Sequence, residues 1–588
     1  MIRKLVRQML IAQIFAALTV SLCLMIDSIM IGRFLGEEAI AAYGLSNPVL
    51  LVIGAVSSLL ASGIQAACSK SLGKGSQEET NAGYSSAIAS GGSISILFML
   101  FVLLLTSPLA TIMGAGRSGV LFEQTRDYLR GFVIGAPASM LALVLVPFLQ
   151  MAGKTGLLIA SVLAMTVADV GLDLLNVLVF HGGMFGMGLA SSLSYYIAVL
   201  IAGVYFLSRK CVFRFSWKLV TGQKIAELFR SGIPAGVGMI ASVILVFALN
   251  KILAVHGGNS AVAAYSVIMT IGNASNCITT GIGGVSLTLS GIFYNEEDRT
   301  SLRELIRQLV RYAVILGTAV GIMLLIAAPA FVSLFIPIQS EAQAMAVLGV
   351  RLFAIGLIPC CINNALKYCY QATERIPLTE GISLMEGAVL PILSALILSW
   401  MIGTTGVWLN FGMGEILTLI CIAVYVWKKT HQAPWKNDSF LLLSRSFGAT
   451  DENMMEADIR SMDDIRQAVD RAEAFCMKHG QSAKTSNHIA LCIEEMAANV
   501  LQHGFTQDDR QHHMSVRVIS QKDKWILRFR DDCSAFDPVH YVPGEGEDAL
   551  GIRLVLALAE EANYTYSLNL NNLTLKLKGE DLDGSVQS

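Results

Sequence analysis

The order of apolar and polar positions divides the 588-residue chain in two near Trp427. Before that point, apolar windows of about 20 residues recur, each long enough to cross a hydrocarbon core of about 30 Å. Twelve windows are found, centred near residues 21, 57, 96, 140, 167, 197, 243, 276, 322, 357, 390 and 417, six in each half. Beyond it the runs shorten. Ser461 to His479 and Ala483 to His503 have the helical period, and Ser515 to Ser520 with Lys524 to Asp531 read as paired strands about a Gln-Lys-Asp turn. After a loop with Pro538 and Pro543 come a helix over Gly551 to Glu561 and two strands around Asn571 and Asn572. The pattern predicts an all-α membrane bundle of twelve transmembrane helices in two six-helix repeats, followed by a small α/β sandwich with helices on one face of a mixed sheet.

The polar interruptions carry the repeat. Asp27 to Tyr43, DSIMIGRFLGEEAIAAY, corresponds to Asn250 to Tyr265, NKILAVHGGNSAVAAY. In both, a polar residue closes an apolar run, a glycine turn follows, and A-x-A-A-Y opens the next run. Gln150 to Lys154, QMAGK, corresponds to Gln371 to Arg375, QATER, and all three landmarks share an offset of 221 to 223 residues. The membrane domain is therefore expected at 1–429, with repeats of about 1–210 and 225–429, a frequent build among transporters. A linker is expected at 430–455 and the second domain at 456–588.

Composition agrees with a membrane protein: 54% hydrophobic and 15% charged residues, with a mean hydropathy of +0.60. A net charge of −2, without a basic patch interleaved with aromatics, excludes a nucleic-acid partner. The eleven cysteines lack paired spacing in outward loops and read as reduced apolar residues. The first run follows Arg3, Lys4 and Arg7 and extends to Ile31, too long for a signal peptide, so a retained first transmembrane helix is expected. Basic residues cluster at one set of loops: Lys70 and Lys74, Lys154, the run from Arg209 and Lys210 to Arg230, and Arg299 to Arg311. The positive-inside rule puts both termini in the cytoplasm of a multi-pass plasma-membrane protein. Lys428, Lys429, Lys436 and Arg445 of the linker read as a positive flank of the bilayer.

Ionisable groups inside apolar helices are costly and mark functional positions. Asp27 lies in the first span, and Asp169 and Asp173, four apart, share one face of the fifth. Carboxylates sharing a low-dielectric cavity need a retained proton or a bound sodium ion, and either event can bias a conformational equilibrium. Glu386 and Glu415 are second-repeat carboxylates placed to meet a cationic substrate. In the tail, Glu495, Asn499 and His503 recur every four residues on one helical face. An amide oxygen there suits Mg²⁺ beside nucleotide phosphates, and a carboxylate one turn away suits a general base.

Residues 1–429 resemble the multidrug and toxic compound extrusion (MATE) transporters. The likeness rests on DSIMIGRFLG with AIAAYGL and Pro48, LGKG after the second span, the QMAGK and QATER turns, SGIPAG at Ser231 to Gly236, and GVW at Gly406 to Trp408. It implies a first-lobe cation site of Asp27, Asp169 where the family has Asn, Asp173 and the Ser191 hydroxyl, coupled to H⁺ or Na⁺. The early helix-1 proline of the family is absent, with Ala12 and Gln13 near that place.

The tail resembles the GHKL ATP-binding fold, in particular anti-sigma-factor serine kinases, through IEEMAANVLQH, RDDCSAFDP and ALGIRLV in that order. The likeness implies Glu495 as catalytic base, Asn499 as Mg²⁺ ligand, His503 beside the phosphates, Asp531 as reader of adenine, and Gly551 in the phosphate loop at a helix N-terminus. Cys533, Ala535 and Ala549 stand where the family has glycines, a departure expected to crowd the nucleotide. The chain is expected to export small organic cations by H⁺- or Na⁺-coupled antiport, with ATP and Mg²⁺ in a regulatory tail open to a cytoplasmic protein partner. Two alternatives are a membrane-anchored serine kinase whose bundle senses a ligand, and a lipid-precursor flippase.

Overall fold

The structure, a computed structural model, describes residues 2–208, 211–335, 341–433, 436, 439–444, 447–449, 451–507, 511–521, 524–542 and 549–579. Arg209, Lys210, Arg445, Lys522, Asp523 and Pro543, which entered the sequence reading, lie outside them. Among the described residues eleven helices are long and apolar enough to cross a membrane, or twelve with one bent pair taken as a single span. The first repeat comprises α1 (Ile2–Leu35), α2 (Glu37–Gly73), α3 (Gln77–Leu104), α4 (Val120–Val133 with Ala136–Met151, bent by 45°), α5 (Thr155–Phe180) and α6 (Gly183–Leu207). The second comprises α7 (Gly222–Gly258), α8 (259–275 and Cys277–Asn295), α9 (Arg299–Ser333), α10 (Glu341–Ala372), α11 (Ile376–Ile402) and α12 (Thr404–Thr430).

The repeat reappears in the backbone. Gly36, at the α1–α2 turn, has φ +93°, and Gly258, at the α7–α8 turn, has φ +59°. Both are conformations that a Cβ disfavours, and both lie in the glycine turn that follows the repeated polar residue. Gly153 after α4 and Glu374 after α10 are likewise left-handed, at φ +70° and +62°. Sequence windows place a continuous eighth helix about residue 276; the structure breaks it there, Asn276 ending one helix and preceding the next.

The repeats meet along a closed seam at the end of the bundle that carries the second domain. α2 and α7 cross with no room for side chains: a Cβ on Gly63 would collide with the carbonyl of Leu228, and one on Gly232 with that of Leu59. Gln371, of the QATER turn, donates to Ser62 Oγ at 2.9 Å and to the Ser231 carbonyl at 2.7 Å, and Lys70 pairs with Glu374. Above the seam a cavity of about 710 Å³ runs along α7 from Pro234 to Asn250. Leu104, Leu207 and Trp400 are over 80% exposed, the outer surface that a lipid-facing helix presents.

The tail begins at β1 (Met454–Ile459), a strand that starts just ahead of the expected domain boundary and that the sequence reading did not foresee. α13 (Met462–Lys478) opens on a capping box, Ser461 accepting from the Asp464 amide while Asp464 accepts from that of Ser461. α14 (Ala483–Asn499) continues as a wider turn to Gly504, followed by β2 (Met514–Gln521), β3 (Lys524–Asp531), α15 (Leu550–Leu558), β4 (Glu561–Ser567) and β5 (Leu570–Lys578). Glu561, expected in the last helix, opens β4, and Asn571 and Asn572 lie within β5, past the turn at Leu568 and Asn569. The sheet order is β1-β2-β3-β5-β4 with every pair antiparallel, which corrects the expected mixed sheet. No βαβ crossover joins sequence neighbours in parallel, because hairpins link β2 to β3 and β4 to β5. Val516, Trp525, Leu527 and Leu575 face the helices and form the core, whereas Arg517, Arg528 and Arg530 alternate onto the other face.

Candidate functional site

Two polar centres follow from this architecture, one in each domain. In the first lobe, α1 and α5 lie side by side and bring Asp27, Asp169 and Asp173 together, all under 7% exposed. Asp27 stands within hydrogen-bonding reach of both other carboxyls. Ser191 on α6 donates to Asp27 Oδ2 at 3.4 Å and also lies 3.4 Å from the Met187 carbonyl. Neither oxygen of Asp173, nor Oδ1 of Asp27 or of Asp169, meets a donor among the described residues. Three buried carboxyls with unfilled acceptor sites cannot all be ionised without a cation or shared proton, so the pocket has the chemistry of a reversible cation or proton store. A small cavity of about 20 Å³ is lined by Asp27, Asp169 and Ser191, though not by Asp173, and also by Cys23, Tyr128, Ser194 and Tyr195, neighbours that the sequence reading did not single out.

The second-lobe acids are arranged differently. Glu386 on α11 lines the cavity between the lobes, where Lys367 of α10 holds both its oxygens at 3.2 Å. Glu415 on α12 accepts from Asn363 Nδ2 at 2.8 Å and does not line that cavity. Lys367 and Asn363 went unnoticed in the sequence because their partners are 19 and 52 residues away and no helical spacing connects them. Lys367 already supplies a cation to Glu386, so a cationic ligand there would share the carboxylate with an ammonium.

In the tail, a cavity of about 410 Å³ opens between α14 and the sheet, within the range of small-ligand sites. Asn499, His503 and Asp531 line it, as do Cys533 and Ala549. At its floor Asp531, 4% exposed, accepts from the Asn571 side chain at 2.7 Å and from the Cys533 amide at 3.0 Å. Burial raises the Asp531 carboxyl above the ordinary carboxylate range, and those two hydrogen bonds only partly offset it. Asn571 itself is fixed by the Tyr564 hydroxyl at 2.7 Å and the Phe536 amide at 3.1 Å. Glu495 and Gly551 are not on the cavity wall: Gly551 packs against the Glu495 carboxylate so closely that a Cβ there would strike it. The expected crowding by Cys533 and Ala549 leaves room, since both border an open cavity. Asn571 and Tyr564 were missed because a polar strand residue resembles a solvated one until its neighbours are known.

Residues 12–175 match the MatE family and residues 459–577 the histidine kinase-like ATPase domain. Multidrug export protein MepA of Staphylococcus aureus (strain bovine RF122 / ET3-1) is 24% identical over 401 residues, covering 68% of this chain and 87% of that one. Probable multidrug resistance protein YoeA of Bacillus subtilis (strain 168) is 22% identical over 424 residues, covering 69% and 90%. Among solved structures, the outward-facing conformation of a multidrug resistance MATE family transporter of the MOP superfamily superposes with a TM-score of 0.68 at 19% identity, over 73% of this chain and 96% of that one. A MOP superfamily transporter from Pyrococcus furiosus does so with a TM-score of 0.67 at 19% identity and the same coverage. Sequence repeat, helix order and fold thus converge on one reading: this chain joins a membrane domain with the fold of MATE transporters, whose first part matches the MatE model, to a domain that matches the histidine kinase-like ATPase domain.

Proposed function

We propose that the chain is a secondary-active exporter of small organic cations, coupled to H⁺ or Na⁺, whose tail binds ATP with Mg²⁺ and regulates transport from the cytoplasmic side of the plasma membrane. The observation that carries the transport reading is the trio Asp27, Asp169 and Asp173, buried together with acceptor oxygens unfilled. Loading the trio with a proton or sodium ion removes an electrostatic penalty and changes which packing of the lobes is preferred. The cavity between the lobes, with Glu386 on its wall, receives the substrate. The names of the relatives, multidrug export and multidrug resistance proteins, support export of small drug-like molecules.

Nucleotide binding rests on the tail cavity. Asp531 would accept from the exocyclic amine of adenine, and Asn499 would offer its amide oxygen to Mg²⁺ near the phosphates, with His503 beside them. Glu495, set against Gly551, would act on a hydroxyl only after the first turn of α15 moved, so regulation is favoured over kinase activity.

The test is uptake of a fluorescent organic cation into proteoliposomes under an imposed proton or sodium gradient. Transport driven by one gradient and abolished in Asp27→Asn and Asp173→Asn is expected. Uptake that ignores both gradients, or survives both substitutions, would rule the reading out. Calorimetry with ATP and Mg²⁺ on the full chain, alongside Asn499→Ala, tests the tail.

A further inference from the structure

The ATPase domain touches both lobes of the membrane domain. Toward the first lobe its β4–β5 turn seats on the α4–α5 turn: the Leu568 amide donates to the Met151 carbonyl at 2.7 Å, and Lys154 donates to Asn569 Oδ1 at 3.4 Å. Lys4, at the start of α1, lies 3.5 Å from Asp532. Toward the second lobe, the outer face of the sheet sets three arginines on the α8–α9 loop. Arg517 pairs with Asp298 and reaches Ser301 Oγ at 3.2 Å, Arg528 donates to the Glu296 carbonyl, and Arg530 donates to the Glu296 carboxylate at 2.7 Å. The tether follows the same lobe, Arg299 donating to the Ser444 carbonyl at 2.6 Å and Tyr294 stacking on Phe447 at 4.9 Å.

Beneath this contact the seam between the lobes is shut. A two-lobe carrier works by rocking one repeat against the other, so this seam has to part in one half of the cycle. A domain bonded to both sides of it opposes that step. The bonds to the second lobe are also buried: Glu296 and Arg530 are each 13% exposed in their side chains, and Asp298 is 2% exposed, so solvent screens them weakly.

One strand pair serves both faces of the domain. Asp531 and Asn571 are partners across β3 and β5 and face the cavity; Arg530 and Asn572, also partners, face the membrane domain, where Arg530 donates to Asn572 Oδ1 at 2.6 Å as well as to Glu296. A base that hydrogen-bonds the Asp531 carboxylate joins the Asn571 and Cys533 groups already held by it and so bears on the β3–β5 pair. Any shift of β5 relative to β3 is carried to the Arg530 fork on the opposite face, because side chains alternate along each strand.

We propose that the ATPase domain is an autoinhibitory clasp, tying the α8–α9 loop of the second lobe to the α4–α5 turn of the first and holding the seam closed, and that a purine nucleotide entering the Asp531 cavity loosens it through the β3–β5 pair. The second part rests on the nucleotide-binding reading; the first does not. Neither relies on phosphoryl transfer, because only occupancy of the cavity is invoked.

The experiment uses the full chain in proteoliposomes and compares the wild type with Glu296→Arg, Arg530→Glu and the double exchange. Size-exclusion profiles and cation binding establish that each variant is folded. Without nucleotide, each single reversal is expected to raise ion-driven uptake severalfold and to speed tryptic cleavage of the tether, and the double exchange to restore both. Singles that free the tether without raising uptake, or a double exchange that does not restore the wild-type rate, overturn the clasp. For the nucleotide arm, the Mg²⁺ complex of a non-hydrolysable ATP analogue is added to the tail-bearing face. Uptake rising in the wild type to the level of the single variants, with no further rise in those, supports coupling. Calorimetric binding with no change in uptake overturns coupling alone. Absence of binding overturns the nucleotide reading and leaves the clasp to stand or fall on the reversals.

Discussion

Arg530 and Asp531 are consecutive residues of β3, yet Arg530 reaches Glu296 of the membrane domain at 2.7 Å while Asp531 faces the tail cavity and accepts from Asn571 at 2.7 Å. Alternation along a strand thus sets a candidate ligand-reading carboxyl back to back with the bond that anchors its domain. The pair separates two classes of substitution. Asp531→Asn keeps the shape and removes the charge; it is expected to abolish ATP binding in calorimetry while leaving tether proteolysis slow.

Asp531 also fixes the direction of the pH response. Its carboxyl is raised above the ordinary range by burial. Only the ionised form accepts from the amine of adenine while still accepting from Asn571, so affinity is lost as pH falls through the raised value. ATP affinity measured as pH is lowered is expected to decline at a higher pH than an exposed aspartate would produce. A decline no earlier than that of an exposed aspartate would count against base recognition by this residue.

Asp298 behaves in the opposite sense. Burial alone would raise it, but the guanidinium groups of Arg517, Arg528 and Arg530 hold it down from 3.8 to about 2. A depressed carboxylate contributes stability that is fully present above its unfolded value and is lost as pH falls through the folded one, here between about pH 4 and pH 2. The shift corresponds to about 2 kcal/mol. Asp298→Asn is expected to cost a similar amount in docking, read as faster cleavage of the tether, and to make that cleavage insensitive to acid over the same interval.

The ion pair of Lys367 and Glu386 gives a stability test within the second lobe. Removing one member of a buried pair leaves an uncompensated charge at a cost of about 3 kcal/mol, whereas replacing both by neutral side chains is close to neutral. Thermal unfolding in detergent should therefore fall for Lys367→Met and recover in Lys367→Met with Glu386→Gln. Substrate affinity separates the roles: if Glu386 meets the cation, the double variant stays folded and loses affinity, and unchanged affinity would remove Glu386 from the substrate path.

Much of this was legible in the chain because its physics is local. Apolar windows of bilayer length and a repeated glycine turn need only neighbouring residues, which is why both lobes and the Gly36 and Gly258 turns could be anticipated. The grouping of Asp27 with Asp169 and Asp173 came from family likeness, and the packing of α1 against α5 supplies its geometry. What stayed hidden depends on distant partners. Arg517, Arg528 and Arg530 occupy the polar positions of alternating strands and look solvated, yet their partners Glu296 and Asp298 lie more than 200 residues earlier. β1 was missed because MMEADI follows a polar tether and shows its alternation only when paired with β2. The break at Asn276 sits among Asn273, Ser275, Thr279 and Thr280, which a 20-residue window averages with their apolar neighbours, so the single window did not mark it.

The crossing of Gly63 with Leu228 and of Gly232 with Leu59 has a kinetic consequence. Two backbones in contact have no rotamers through which to yield, so the seam cannot open by degrees; a packed interface of this kind is bistable. Single-molecule distance recordings across it should show two dwell levels and abrupt jumps between them. A single methyl, in Gly63→Ala or Gly232→Ala, would act as a wedge that depopulates the shut level, so the opposite conformer could be trapped without drug, antibody or nucleotide.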